Sequence, residues 1–376
     1  MSEALAAAAR GLGQAPAALG FDDAARRDEL RLKLERVSVL LDAREADALW
    51  LRKGENLAWI TGGGDLRVHR EGPPVADAVV TRDTLTIVTS RIEAGRLEAE
   101  QLPPGTRVEA VDWHDAGARG RRVAGLLQGR AWLDDLGGDL VELRQPLLPV
   151  EQVRLAAVGA AASRALTDVA AILSPDMTER DVAARLHGAL RAAGVDLPVA
   201  LVGGERRFGW VRHPLPSDLP FGGLGLLVVC AMRFGLVASL SRTVAFGGVP
   251  AHAADGQRKV WRVEAAMLGA SRVGAAGRDV LAAARAAYAE AGEPTAWEDH
   301  HQGGPAGYLP REWLVTPDEG RALRAGMALA WNPSLPWAKS EDTFLLGADG
   351  LRNLTWDERW PHETVAGRPR AAVRPL

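Results

Sequence analysis

The sequence predicts an α/β (α+β) protein of two domains. Short β-type runs alternate with helical periodicity between Leu30 and Leu133. At Pro146–Pro149 two prolines flank two leucines just before a new amphipathic stretch, which marks a boundary. The 376 residues exceed one ordinary domain and suit two. The expected organisation is a disordered lead at 1–21, a small α/β domain at 22–145, a larger domain at 146–360 and an Arg/Pro-rich mobile tail at 361–376.

Each element has its own signal. Leu30, Leu34, Val37 and Leu41 recur at helical spacing among Arg, Lys and Glu, an amphipathic helix. Ala48–Leu51 reads as a strand, followed by Asn56–Thr61 and a Gly62-Gly63-Gly64 break. Ala78–Val80 and Leu85–Val88 flank Thr81-Arg82-Asp83-Thr84, a hairpin pattern. A helix near 91–101, a strand near 108–111, a helix near 119–127 and a strand near 131–133 complete the first domain. The second opens with a helix over 151–173, whose Leu155, Val158, Ala162, Leu166 and Val169 share one face. Thr178 and Asp181 form a capping-box pattern with Asp in third position, and Gly194 stops the helix carrying Val182, Leu186 and Leu190. Two more helices are expected near 254–273 and 279–291. Strands are expected at 199–202, 226–230, 236–238, 327–331 and 343–346.

Composition narrows the classes. Apolar residues at 47% and charged residues at 25% are ordinary globular values. Lone Cys230 cannot make an internal disulfide, so a reducing, cytoplasmic setting is expected. A net charge of −3 without a basic stripe argues against nucleic acid as partner. No apolar run approaches the roughly 20 residues of a membrane helix, and the alanine-rich start lacks the n-region and h-region of a signal peptide.

Several motifs occur in a telling order. Leu173-Ser174-Pro175-Asp176-Met177-Thr178-Glu179 leads into the second helix of the larger domain, and Asn56-Leu57-Ala58-Trp59-Ile60-Thr61-Gly62 lies in the smaller. His301-Gln302-Gly303-Gly304, Gly326-Met327 and Glu341-Asp342-Thr343 follow. Together, over about residues 27–350, the chain resembles the pita-bread family of methionine aminopeptidase, Xaa-Pro aminopeptidase, prolidase and creatinase. Asp176 stands where that family usually has Gly. The resemblance implies a creatinase-type N-terminal domain followed by a pita-bread domain, and a homodimer.

It also implies a metal centre, in which two Asp, one His and two Glu hold two divalent ions. Bridging carboxylates suit two hard cations, and the bound water becomes a nucleophile near neutral pH. Here the matching positions are Cys230, Ser239, His301, Asn332 and Glu341. Three of the five ligands are replaced, so no dinuclear centre and no cofactor are expected. A single soft ion on Cys230 and His301 would be weakly held. His213 lies 17 residues before Cys230 and matches the family histidine that faces substrate. In metal-free creatinase that histidine moves the proton, and a glutamate at the last-ligand position helps bind substrate. The second substrate histidine has no counterpart; Tyr308 or Arg311 stands near its place.

Plainer readings exist for each residue. His213 could be a loop histidine, and Gln302–Pro305 a simple turn. Cys230 ends an apolar run and reads as a buried small hydrophobe. Ser239 or Ser241 as nucleophile lacks an adjacent base. Glu341 and Asp342 could be a strand-end charge pair with Lys339. Of His300 and His301, the one preceding the glycines is favoured for the cleft.

The functional expectation is a metal-independent hydrolase of a C–N bond in a small guanidino or amino-acid-derived compound. His213, His301 and Glu341 would carry the chemistry, and Asn332, Tyr308 and Arg242 would bind substrate. Arg206, Arg207 and Arg212 could add carboxylate contacts. The alternative is a non-catalytic peptide- or partner-binding protein. The third reading is a metallo-aminopeptidase in which Asp218, Glu312 or Asp342 supplies missing ligands.

Overall fold

A computed structural model describes residues 21–69, 72–136 and 140–376. The lead expected at 1–21 lies, apart from Phe21, outside them. The chain divides into two compact units. One holds the described residues up to Gln145 together with Phe234–Leu236, and the other holds Pro146–Arg233 and Val237–Leu376.

In the first unit, α1 (Asp23–Ala43) turns Leu30, Val37 and Leu41 inward. Strands β1 (Ala48–Leu51), β2 (Ala76–Val80), β3 (Leu85–Ser90), β4 (Arg107–Val111) and β5 (Trp132–Asp134) form one sheet in the order β4-β3-β2-β1-β5. The Thr81–Thr84 turn joins β2 and β3 antiparallel, with Val80 opposite Leu85. Asn56 sits on α2 (Gly54–Ile60), buried. Its Nδ2 donates to Asp135 at 3.0 Å and its Oδ1 accepts from Arg144. That asparagine braces the sheet edge, because a buried amide needs partners for both ends. Helices α3 (Arg91–Arg96), α4 (Ala118–Leu127) and α5 (Val141–Arg144) complete the unit.

The second unit opens with α6 (Pro149–Ala170), which buries Leu155, Val158, Ala162, Leu166 and Val169. Next, α7 (Glu179–Ala192) starts at the expected capping box: Asp181 N donates to Thr178 Oγ1 at 3.1 Å and Thr178 N donates to Asp181 Oδ2 at 3.0 Å. Gly194, at φ +72°, turns the chain out of it. Strands β6 (Asp196–Gly203), β7 (Leu224–Arg233) and β8 (Leu236–Ala245) lie side by side, with short α8 (Glu205–Phe208) after β6. Helices α9 (Ala251–Ala270) and α10 (Gly277–Glu290) follow. A second sheet runs β14-β13-β10-β9, from β9 (Gly303–Ala306), β10 (Ala328–Trp331), β13 (Asp342–Gly347) and β14 (Gly350–Asn353). The small hairpin of β11 (Ser334–Leu335) and β12 (Ala338–Lys339) interrupts it. A bridge between Ser241 and Glu341 ties β8 to the start of β13. None of the described helices is long and apolar enough to cross a membrane.

Two readings need correction. Residues 361–376, expected as a mobile tail, pair instead. β15 (His362–Val365) and β16 (Arg368–Ala371) make a hairpin, and β17 (Arg374–Pro375) runs parallel beside β8. The anchors are polar. Trp360 Nε1 donates to Ala372 O at 2.9 Å, and buried Arg370 reaches Asp342 at 3.2 Å. The prolines that argue against a strand fall at an edge, where a missing N–H is tolerated. Second, Gly303–Ala306 is strand β9, paired with β10, where a plain turn was the simpler expectation.

Candidate functional site

Glu179 organises the loop that carries His213. Its buried carboxylate accepts from Gly204 N at 2.9 Å, Ser217 N at 3.0 Å, Ser217 Oγ at 2.5 Å and the Arg207 guanidinium. Both ends of the 204–217 loop therefore hang on one side chain at the first turn of α7. Gly209 closes this loop against Trp337, whose ring would stand 2.3 Å from any Cβ at that position. Trp337 itself holds φ 57° in the β11–β12 turn, a conformation that costs a bulky residue strain and is kept only where packing demands it. His301 is aimed by the glycines after it. Gly303 adopts φ +99°, and a Cβ there would lie 2.2 Å from Ala330 O.

Three imidazoles meet. His213 Nε2 and His300 Nε2 are 3.1 Å apart, and His300 Nδ1 lies 3.3 Å from Ser334 Oγ. The His301 ring centroid is 4.7 Å from that of His300 and 6.2 Å from that of His213. His300 is buried and His213 exposed. Burial first, then the charge of Lys339, holds His213 and His300 below the ordinary imidazole value. His301 is pushed down to about 4 by burial and by Arg311.

Beside the imidazoles lies a buried charge cluster. Arg311 Nη2 donates to Glu341 Oε1 at 2.7 Å, and Lys339 Nζ stands 3.3 Å from Glu341 Oε2. Arg311 Nη1 donates to Ser239 Oγ at 3.2 Å, and Ser239 Oγ in turn donates to Cys230 Sγ at 3.3 Å. Burial alone would raise the Glu341 carboxyl, but Lys339 and Arg311 outweigh it and hold it below the usual range. Burial lowers the Lys339 ammonium, against the pull of Glu341. Burial and Glu341 push the Cys230 thiol up, so it is no nucleophile at neutral pH.

The model of metallopeptidase family M24 matches residues 153–352, more than half of the chain. The chain belongs to metallopeptidase family M24. Its fold is the pita-bread fold. It is similar to dipeptidase PepE from Mycobacterium ulcerans, with TM-score 0.72 and 22% identity over 93% of this chain and 99% of that one. It is similar too to the Xaa-Pro dipeptidase from Bacillus anthracis, with TM-score 0.73 and 15% identity over 92% and 100%. The N-terminal domain of FACT complex subunit SPT16 from Cicer arietinum shares the fold as well, with TM-score 0.64 and 13% identity over 88% and 96%. At these identities the likeness carries the fold alone. None of the curated proteins matches the chain in sequence.

Of the five residues that the resemblance matches to a dinuclear ligand set, three are linked by hydrogen bonds in this M24 chain. Cys230, Ser239 and Glu341 are joined through Arg311. Asn332 is buried, with its N donating to Gln302 O at 3.2 Å and its Oδ1 without a hydrogen-bond partner. This donor set does not fit two dications. Glu341 is the single carboxylate in it, and two side-chain cations already contact it. A second dication would face repulsion with no bridging anion to offset it.

Two expected substrate residues face elsewhere. Tyr308 is buried, and its hydroxyl donates to Glu151 Oε1 at 2.6 Å. Glu151 Oε2 also accepts from Leu148 N at 2.7 Å, so Tyr308 helps seat the start of α6. Arg242 is buried too. It donates to Asp342 Oδ1 and Thr355 O at 2.9 Å each, and its guanidinium carbon sits 5.8 Å from the Trp360 ring centroid. These buried contacts engage the Tyr308 hydroxyl and the Arg242 guanidinium. The alternative ligands are scattered as well. Asp218 is exposed and pairs with Arg180, Glu312 accepts from Tyr308 N at 2.8 Å, and Asp342 serves Arg242.

Sequence alone favours His301 over His300 for the cleft; in the structure both rings join the cluster. The signal was the His-His dipeptide itself, which β-type alternation argues against but an irregular approach to β9 allows. It also gave Glu179 no role. A carboxylate one residue past an N-cap has good reason to be buried only if loop N–H groups need it.

Proposed function

We propose that this M24 protein hydrolyses a C–N bond in a small, carboxylate-bearing, amino-acid-derived compound without a dinuclear metal centre. The observation that carries this reading is the buried Glu341 held between Arg311 and Lys339. Two buried side-chain cations contact this glutamate, which the resemblance matches to the last metal carboxylate. They exceed Glu341 by one charge, which favours a substrate carboxylate. A guanidino substrate would bring another cation to a glutamate that already serves two, so the guanidino option falls behind.

His213 moves the proton. Its Nε2 lies 3.1 Å from His300 Nε2, within hydrogen-bond reach. Ser334 orients His300, so Ser334, His300 and His213 form one hydrogen-bonded chain ending at an exposed ring. Burial and the charge of Lys339 lower the His213 imidazole from its ordinary value, which favours the neutral ring that a base requires. General acid–base catalysis of this kind supplies about 10²–10⁴-fold, and Arg311 with Lys339 supplies positioning. Homodimer formation belongs to this reading as well, and light scattering tests it.

The test is turnover of a panel of N-acyl amino acids and Xaa-Pro dipeptides by chelator-treated protein. Hydrolysis that survives chelation and falls by about 10²–10⁴ in His213→Ala is the expected result. Activity that appears only with added Mn²⁺ or Co²⁺ would reverse it. A second reading has its own support in the full engagement of Glu341 by protein cations: a binding protein that retains the cleft without chemistry. It expects ligand binding without product, with His213→Ala changing affinity alone.

A further inference from the structure

We propose that His213, His300 and His301 form a binding site for one zinc-class ion, a ligand set that shares only His301 with the positions matched to the dinuclear centre of M24 peptidases. One ring nitrogen from each of the three lies within 4.8 Å of those of the other two. In a tetrahedral zinc site, Zn–N bonds of about 2.1 Å place ligand nitrogens about 3.4 Å apart. The Nε2 atoms of His213 and His300, at 3.1 Å, already have that spacing. The third nitrogen, on His301, already lies within 4.8 Å of the other two and needs only a small approach.

The site is built rather than incidental. His300 is oriented through Nδ1 by Ser334 Oγ, as a ligating histidine usually is through its other nitrogen. Gln302 Nε2 donates to His300 O at 2.6 Å, and the Tyr288 hydroxyl joins Gln302 Oε1 at 3.1 Å to Ser334 N at 2.9 Å. One buried frame therefore fixes both the backbone and the ring of His300. His301 Nδ1 is buried and has no hydrogen-bond partner. Between His213 and His300 a single proton must serve two facing nitrogens; an ion would take both lone pairs.

Donor chemistry names the class. Three neutral imidazoles suit Zn²⁺, Co²⁺, Ni²⁺ or Cu²⁺ and not Mg²⁺ or Mn²⁺, which prefer oxygen. Three protein ligands leave a fourth position to water. Only His301 is shared with the positions matched to the dinuclear set. Lys339 and Arg311 oppose a dication here and Glu341 offsets only one of them, so the ion is held as an exchangeable one. If the proposed hydrolysis is correct, on which this consequence alone rests, the ion captures the lone pair of His213 and inhibits turnover.

Equilibrium dialysis of the whole protein against Zn²⁺, with elemental analysis, tests the site. One ion per chain is expected, lost in both His213→Gln and His300→Ala and unchanged in a variant of the exposed His187 on α7, His187→Ala. Co²⁺ should give the strong visible absorption of a tetrahedral complex, absent in the same two variants. Circular dichroism checks that His300→Ala folds, and exposed His213→Gln remains informative if it does not. No binding, binding that survives His213→Gln, or equal uptake of Mn²⁺ overturns the site. Two ions per chain overturn both the site and the metal-free reading of the cleft. One His-dependent ion in a protein that hydrolyses nothing supports the site and removes the hydrolase. One ion that accelerates turnover overturns the inhibitory consequence.

Discussion

Glu341 and Asp342 are adjacent in sequence and lie in opposite electrostatic worlds. Strand alternation sends their side chains to opposite faces. Asp342 joins a buried network with Arg242, Arg370, Glu264, Ser340 and Thr355. That network balances two carboxylates with two guanidinium groups. Glu341 meets Arg311 and Lys339 and leaves one cation over. A balanced buried network is closed and acts as structure. An unbalanced one beside exposed His213 has a use for another anion. The contrast separates scaffold from site more sharply than burial does, since both carboxylates are almost wholly buried.

The largest effect on stability should come from the balanced side. Arg242→Ala removes one partner and strands Asp342 with half of its charge pairing, in a place that water does not reach. Breaking a buried pair in this way costs about 3–5 kcal/mol. Chemical denaturation should show the loss as a lower midpoint at unchanged slope. A change below about 1 kcal/mol would mean that Asp342 finds another partner, and that the network is not the scaffold argued here.

Arg311→Met tests the unbalanced side and should behave differently. It leaves Glu341 paired with Lys339, a neutral couple, so the fold loses little. The ligand loses its surplus cation. A hydrogen bond to a charged group is worth about 1.5–3 kcal/mol, so affinity or KM should worsen by roughly 10- to 150-fold. Titration calorimetry or KM measurement reads this, and a denaturation curve beside it reads stability. If stability falls by as much as in Arg242→Ala while affinity holds, Arg311 is scaffold too and the distinction between the faces is lost.

The sequence made the order of elements legible because each relied on a local signal. The Thr178–Asp181 box, the face of α6 and the Gly194 stop are written in spacing alone. The sequence also names candidate site positions, because His301, Glu341 and His213 sit at fixed distances from glycines, prolines and an Asp-Thr pair. Facing was not legible. Arg242 and Tyr308 lie near the right places in the chain, but their direction depends on partners far away in sequence, Asp342 and Glu151. The tail was missed because Pro369 and Pro375 mask strand signals that only an edge position permits. Arg311 and Lys339 appeared as neighbours of expected residues. That both converge on Glu341 depends on strand β12 and the segment after β9 meeting in space.

Tyr308→Phe gives the smallest effect and the cleanest check on that last distinction. The substitution keeps the ring in its buried place and removes only the hydroxyl that donates to Glu151. Glu151 keeps its bond to Leu148 N, so the carboxylate is not left without a partner. The loss should be near the ordinary value of a buried hydrogen bond, about 1 kcal/mol. KM should stay where it is, because the hydroxyl points to the start of α6 and away from the imidazoles. A rise in KM without a loss of stability would return Tyr308 to the substrate, and with it the sequence-based expectation that the structure sets aside.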